Sequence, residues 1–374
     1  MQALTGLRIA DFSWVGAGPR ATKDLADNGA VVVKVESAKR LDLGRKSPPF
    51  ARGERANPDA SAFFAQTNTS KKSVTINLTE PEGQALARRL VAWADVVVEN
   101  FGPGYMERIG LSWPELCKIK PGIILASVSV AGRTGPMSGF RGYGNSAAAH
   151  SGHADMTGWP GSEPHMPPYA YGDVVAPMFL TVAILSALEE RERTGQGSWV
   201  DVSQIEPMAH VIADLFAGMP ADKPANADPL MHPHGVFPCR GDDRWIAIAC
   251  ENDQQRAALT AVLGTGDLAE QTCEHDAFDL AERLASAGVP AAPVRDGKAL
   301  SEHEALRAAG HFVEVEHAVL GPSAMPAPPM VMEATPHAVG PAPLLGEHNA
   351  EVFEGVLGME RAEVDRLKQA GVIA

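Results

Sequence analysis

Asp173 follows Gly172 and precedes the apolar run Val174-Val175-Ala176-Pro177-Met178-Phe179-Leu180. A carboxylate at the edge of an apolar helix is either an N-cap bonding first-turn N–H groups or a partly desolvated reactive group. The two roles can coexist, because first-turn donors also stabilise an oxyanion on an adjacent acyl group. A second candidate is the turn Gly16-x-Gly18-x-x-Ala21, which follows a strand-like run and opens a helix; Glu36 closes the next strand. That is the outline of a dinucleotide-binding fingerprint. In detail, Ser13-Trp14-Val15 separate the glycines from the strand, and Pro19 removes an N–H that a pyrophosphate would use. A plain strand-to-helix turn and a phosphate- or adenine-bearing ligand near it both stay open. The cations available to an anionic ligand are Lys71, Lys72, Arg108, Arg133 and Arg141, each of which suits a solvated surface as well. His150 with His153 and His232 with His234 have H-x-x-H and H-x-H spacing but no third ligand, so no metal site is expected. Neither a G-x-S-x-G elbow nor a Walker A loop occurs.

The elements that must position these groups alternate along the first half. Leu7–Phe12 reads as a strand, a helix runs from Pro19 to the Asn28-Gly29 stop, and Ala30–Glu36 is the next strand. One such βαβ unit makes its strands parallel. Residues 37–69 have no clear period, as expected of a functional lid or a partner-wrapping segment. Strands are then expected at 74–78, 95–99 and 123–129, with helices at 80–93 and 102–109. After a second irregular segment, 131–168, a long helix spans about Val175 to Arg193, ended by Thr194-Gly195. Beyond a Pro- and Ala-rich stretch lie a strand at 245–250 and helices near 253–263 and 276–287. Residues 320–345 are Pro-rich and read as extended, and helices close the chain at 349–356 and 361–369.

The chain has 374 residues, 45% of them hydrophobic, enough for two or three domains with real cores. Its net charge of −14 argues against nucleic acid and against a polybasic membrane patch, though a local basic pocket stays compatible with it. The longest apolar run, Val174–Leu188, is shorter than the ~20 residues of a bilayer span. Met1–Gly6 has no basic, then apolar, leader pattern. Cys117, Cys239, Cys250 and Cys273 form no C-x-x-C pair and read as buried thiols of a reducing compartment. A soluble cytoplasmic protein is the expectation.

Several ordered segments together resemble one family. They are Leu4-x-Gly6-x-Arg8-Ile9-x-Asp11 with Gly18-Pro19, and Leu25-Ala26-Asp27-x-Gly29-Ala30-x-Val32-x-Lys34-Val35-Glu36. Further along come Ala94-Asp95-Val96-Val97-Val98-Glu99-Asn100-Phe101-x-Pro103-Gly104, then Gly172-Asp173, then Thr194-Gly195-x-Gly197. Gly288-Val289-Pro290 and Ala342-Pro343-x-Leu345-Gly346-Glu347-His348 complete the set. The chain resembles the class III CoA-transferases, relatives of formyl-CoA transferase, carnitine CoA-transferase and α-methylacyl-CoA racemase. The resemblance implies an α/β protein with a Rossmann-like large domain built from both chain ends and a small α+β domain. The corresponding boundaries are 1–215, a linker at 216–233, the small domain at 234–305, and the Pro-rich return at 306–374. It also implies an interlocked dimer, a homodimer or a heteromer with a related chain.

By the same resemblance the catalytic aspartate is Asp173. Contacts to coenzyme A fall on Trp14, Val15, Gly16, Lys71, Asn100, Phe101, Arg108 and Arg141, with Tyr143 beside the pantetheine path. Acyl-CoA and a carboxylic acid are then substrates, and no tightly bound cofactor or metal is implied. Two departures make formate and oxalate poor substrates. An arginine of formyl-CoA transferase is replaced around Ser37-Ala38, with Lys39-Arg40 as stand-ins, and its glycine-run loop is replaced by His232–Pro238. Transfer would run through an aspartyl-CoA thioester, with Gly142-Tyr143-Gly144 as a source of oxyanion donors. A 2-methylacyl-CoA racemase is the alternative within the superfamily. Its Gly-His-Asp segment is absent from Arg141–Asn145, while Gly152-His153-Ala154-Asp155 is displaced with an extra residue. An NAD-binding oxidoreductase is the alternative outside it. Met156, Trp159 and Met166 hint at an apolar or aromatic acid-binding wall.

Overall fold

The computed structural model describes residues 1–214, 218, 223 and 225–374. The chain divides into two compact units, one of Met1–Ala154, Met166–Ala217 and Ala305–Ala374, the other of Asp155–His165 and Gly218–Glu304. Of the expected linker at 216–233, residues 216, 217, 219–222 and 224 lie outside the described residues, as does residue 215 at its border.

The first unit is built on six strands: β1 (Arg8–Asp11), β2 (Val31–Glu36), β3 (Lys72–Thr75), β4 (Val96–Glu99), β5 (Ile124–Ser129) and β6 (Ser198–Ser203). All pair in parallel, in the order β3-β2-β1-β4-β5-β6. Runs such as Val31-Val32-Val33 and Val96-Val97-Val98 suit this sheet because both of its faces are covered. On one face Leu86, Leu90, Phe353 and Leu367 pack against Val33, Val35 and Val97. On the other, Ala21 and Leu25 of the Ala17–Asp27 helix and Leu180 and Ile184 of the Gly172–Thr194 helix pack against Ile9, Val32 and Val96. Residues from both chain ends thus share one core. Strand order reverses between β1 and β4, and a crevice outside the carboxyl ends of the strands at such a point is where α/β sheets bind ligands.

The second unit has an antiparallel sheet of β7 (His234–Pro238), β8 (Trp245–Ala249) and β9 (Ala291–Pro293). Helices Asp253–Leu263, Leu268–Cys273 and Ala277–Ser286 flank it, capped by Asn252, Asp267 and Asp276 side chains. Ile246, Ile248, Leu280 and Leu284 form its core.

Several expectations shift. The third strand starts at Lys72 and ends at Thr75 rather than spanning 74–78, because the Asn77 N–H turns to the Val372 carbonyl (2.7 Å). β6 was not expected. The irregular 37–69 segment contains the Ala62–Thr67 helix, and 131–168 contains Gly144–His150 and His153–Met156. Part of the Pro-rich return pairs as β10 (Phe312–His317) with β11 (Gly321–Pro326). All four cysteines are free, but Cys273 is exposed and Cys117 half-buried rather than buried. The Gly172–Thr194 helix has 23 residues, more than the apolar run suggested, and by length and composition alone could cross a membrane. Here Leu180, Ile184 and Ala187 belong to the sheet core.

Candidate active site

The strand order points to the ends of β1 and β4, and a cavity of about 470 Å³ opens there. Its wall includes Trp14, Val15 and Gly16 after β1, Asn100 and Phe101 after β4, Ser129 and Val130 at the end of β5, and Gln204 after β6. Phe140, Arg141, Tyr143 and Asp173 complete it, together with Arg40.

The β1 turn is held in an unfavourable shape. Val15 has φ +65°, a left-handed conformation that a β-branched residue avoids. Neighbouring side chains impose it. The Val15 N–H donates to Asp42 Oδ1 (2.9 Å), and Asn100 clamps the Trp14 peptide by accepting from its N–H (2.8 Å) and donating to its carbonyl (2.7 Å). Asp42 is fixed by buried Lys34 (2.9 Å), which also donates to the Ser13 carbonyl (2.7 Å). Strain of this kind is typical of sites where backbone must meet a ligand.

Asp173 lies in the first turn of the Gly172–Thr194 helix, and Tyr171 rather than Asp173 is the N-cap. The N–H groups of Asp173, Val174 and Val175 already donate to Ala170 and Tyr171 carbonyls at 2.9–3.0 Å. First-turn donors are therefore not free for an oxyanion, contrary to the first expectation. The donors at this carboxylate come from elsewhere: Gln204 Nε2 donates to Asp173 Oδ1 (2.6 Å), and the Gly144 N–H faces the same group. Burial pushes the Asp173 carboxyl above its usual pKa, opposed by these two bonds and by the charge of Arg20. Three glycines make the approach possible. A Cβ on Gly16 would stand 2.8 Å from Asp173 Cγ, one on Gly144 2.7 Å from Asp173 N, and one on Gly172 2.9 Å from the Ala147 Cβ.

A smaller recess of about 260 Å³ shares Trp14, Arg40, Phe101 and Arg141 with the cavity and adds Tyr105 and Arg108. Trp14 and Phe101 meet edge to face (5.8 Å between ring centres), and Phe101 lies 4.2 Å from Tyr105. Arg40 sits over Trp14 (5.5 Å) and Arg108 over Tyr105 (5.4 Å). Among the described residues Arg40, Arg108 and Arg141 have no carboxylate partner within salt-bridge distance. Three such guanidinium groups, two of them over aromatic rings, suit a phosphorylated, ring-bearing ligand. Trp14 Nε1, Ser129 Oγ and Gln204 Oε1 are buried in the cavity wall without partners among the described residues. Buried polar atoms are normally paired, so these are open to ligand atoms.

Of the residues expected from sequence, Trp14, Val15, Gly16, Asn100, Phe101, Arg141, Tyr143 and Asp173 line the cavity, and Arg108 lines the adjoining recess. Lys71 does not. Its ammonium is buried against Asp11 (3.1 Å), Asn68 (2.8 Å) and the Pro19 carbonyl (2.9 Å), and burial pushes it down to about 8. Lys71 supports the β1 turn from beneath. Arg133 is likewise taken up by Glu99. Met166 is not in the cavity wall, and Met156 and Trp159 belong to the second unit. Glu36, the acidic residue of the dinucleotide fingerprint, is buried and held by Arg45 and Ser73 (2.7 Å each), so both of its oxygens are engaged within the fold. Gly18 serves packing, since a Cβ there would meet Ser13 Cβ at 2.2 Å. Sequence reading missed Gln204 and Asp42. The signal for Gln204 was its place directly after a Val-rich alternating run, had that run been read as a strand.

The family model described as CoA-transferase family III matches residues 4–279 and 265–349. The chain belongs to the CoA-transferase family III. It is 30% identical to the succinyl-CoA:glutarate CoA-transferase of Mus musculus, covering 100% of this chain and 91% of that one. It is also 30% identical to the alpha subunit of the succinyl-CoA–L-malate CoA-transferase of Chloroflexus aurantiacus, over 99% of this chain and 92% of the other. Among solved structures, a CaiB/BaiF family protein from Brucella suis matches with a TM-score of 0.85 and 31% identity, covering 97% of this chain and all of that one. The protein is thus an enzyme of class III CoA-transferase type whose substrates are CoA thioesters, with the α/β fold and parallel sheet of that family. Neither the racemase nor the NAD-dependent oxidoreductase is favoured.

Proposed function

We propose that this enzyme moves CoA from an acyl-CoA donor to a carboxylic acid acceptor through an aspartyl-CoA thioester on Asp173. The observation that carries the reading is the position of Asp173, a partly desolvated carboxylate with two donors on it, in the wall of a cavity whose outer recess gathers Arg40, Arg108 and Arg141. Those arginines would take the CoA phosphates, and Trp14, Phe101 and Tyr105 the flat base. Val15, Gly16, Asn100 and Tyr143 would flank the rest of the cofactor. Asp173 attacks the donor thioester carbonyl and expels CoA thiolate, giving a mixed anhydride. The thiolate, still bound, attacks the aspartyl carbon and releases the donor acid. The acceptor acid reverses the two steps. Exchanging one thioester for another needs no external energy source.

The relatives' names make succinyl-CoA the first donor to test, with glutarate and malate as acceptors. Product thioesters would be read by mass spectrometry. Loss of transfer in folded Asp173→Ala and Asp173→Asn is expected; full activity in either would reject the nucleophile.

The same reading includes an interlocked homodimer. Its support is the outer face of the Gly172–Thr194 helix, where Met178, Val182 and Leu185 stand exposed at helical spacing. Native mass spectrometry on dilution tests it, and a stable folded monomer would refute it. A pairing with a related chain, as the word subunit implies for the Chloroflexus relative, would show as inactivity of the isolated chain. Four unpaired cysteines fit a cytoplasmic setting.

A further inference from the structure

Gln204 is the one side chain that donates a hydrogen bond to Asp173 among the described residues, and it is nearly completely buried, at 5% exposure. Its orientation follows from chemistry. An ionised carboxylate only accepts, so the amide must present Nε2 to Oδ1, which leaves Oε1 buried and unpaired. The position is rigid because Gln204 leaves β6 directly, and its own N–H donates to the Ser129 (2.8 Å) and Val130 (3.1 Å) carbonyls at the end of β5. The opposite carboxylate oxygen, Oδ2, lies on the Gly16 side, 3.0 Å from where a Cβ of Gly16 would stand.

We propose that Gln204 is a catalytic residue of this enzyme: its Nε2–H, held on Oδ1, forms the oxyanion site for the steps that occur at the Asp173 carbonyl carbon, with the Gly144 backbone close beside it. The inference rests on Asp173 being the nucleophile. Oδ2 forms the bond to the donor acyl carbon, and the C–S bond of the donor breaks with its electron pair leaving on CoA sulfur. The thiolate then bonds to Cγ, and the Cγ=Oδ1 pair moves onto Oδ1. As the Cγ–Oδ2 bond breaks, the donor acid departs as carboxylate with Oδ2, and the Cγ=Oδ1 bond re-forms. Oδ1 carries the negative charge of that tetrahedral state, and Oδ1 is the atom Gln204 already holds. The amide is neutral and fixed, so it stabilises the transient oxyanion without reorganising. The ground-state carboxylate is also stabilised by this bond. The net effect on rate therefore comes from charge concentrating on Oδ1 in the tetrahedral state, where the carboxylate shares it between two oxygens.

The test uses the full-length enzyme and succinyl-CoA as probe, with rapid quenching and mass spectrometry of the CoA adduct on the Asp173 peptide. Gln204→Met keeps the size and removes the donor. Adduct formation should slow by about 10²–10³-fold, the usual effect of losing one oxyanion donor, with KM for the thioester little changed. Gln204→Glu separates chemistry from structure. At neutral pH it places a second carboxylate against Asp173 and should suppress the adduct. As pH falls, its protonated form becomes a donor again and the rate should rise, opposite to the wild type, which loses its ionised nucleophile on the acid side. An unchanged adduct rate in folded Gln204→Met, or a Gln204→Glu profile that parallels the wild type at every pH, overturns the proposal. Absence of any adduct in the wild type would instead remove the nucleophile reading on which it rests.

Discussion

Gly16→Ala isolates the contact between the β1 turn and the reacting carboxylate. Gly16 has a negative φ of −105°, outside the left-handed region that favours glycine, so the contact of the added methyl group is the main perturbation. That methyl would lie 2.8 Å from Asp173 Cγ and 3.0 Å from Oδ2. Restoring the 3.4 Å of ordinary contact requires about 0.6 Å of movement, and the side chain of Asp173 gives way more cheaply than the strained, clamped turn. Displacement of a reacting atom by about 1 Å can cost about 10²-fold in rate, so a loss of roughly 10- to 10²-fold in kcat is expected. The cost in stability should be small, about 1–3 kcal/mol for one inserted methyl. The assay is steady-state transfer from succinyl-CoA beside a urea unfolding curve. A folded Gly16→Ala enzyme with wild-type kcat would refute the idea that the turn sets the position of the carboxylate.

Lys71→Met leaves Asp11 buried without its partner and should cost about 3–5 kcal/mol in urea unfolding, while KM for the thioester in the folded enzyme stays unchanged; a rise in KM at wild-type stability would return Lys71 to the CoA site. Asp173→Asn should raise the melting temperature at pH 7. The native carboxyl has a raised pKa, so its ionised form destabilises the fold above that pKa, and the gain should vanish as pH falls below the usual 3.8; equal gains at pH 3 and pH 7 would contradict the sign. Arg108→Ala and Arg141→Ala should each raise KM for acyl-CoA by about tenfold or more, the loss of one charge-assisted hydrogen bond at ~1.5 kcal/mol. Added salt should shrink that difference, and an unchanged KM in both would move the phosphates elsewhere.

The parallel sheet was legible in the sequence because its strands are buried on both faces and read as unbroken valine runs, from Val31 to Val33 and from Val96 to Val98. β6 was not, since Ser198, Asp201 and Ser203 interrupt it on the sheet edge, and its neighbour Gln204 was lost with it. Asp173 stood out because a carboxylate beside an apolar helix is costly. Of its donors, Gly144 was named within the glycine-rich run 142–144, whereas Gln204 could not be read, because it comes from a segment brought to Asp173 only by folding. Lys71 misled for a related reason. Next to a strand it has the look of a surface cation, but its partners Asp11 and Pro19 lie far away in sequence. Arg40, by contrast, reaches the cavity as a stand-in proposed from sequence alone.

The central step is the bonding of residue 173 to sulfur during turnover. Wild-type enzyme mixed with succinyl-CoA without acceptor, quenched and digested, should yield the Asp173 peptide carrying CoA, and hydroxylamine should convert it to the aspartyl hydroxamate. A fully active enzyme whose Asp173 peptide stays unmodified, with CoA found on no residue or on a different one, would contradict it.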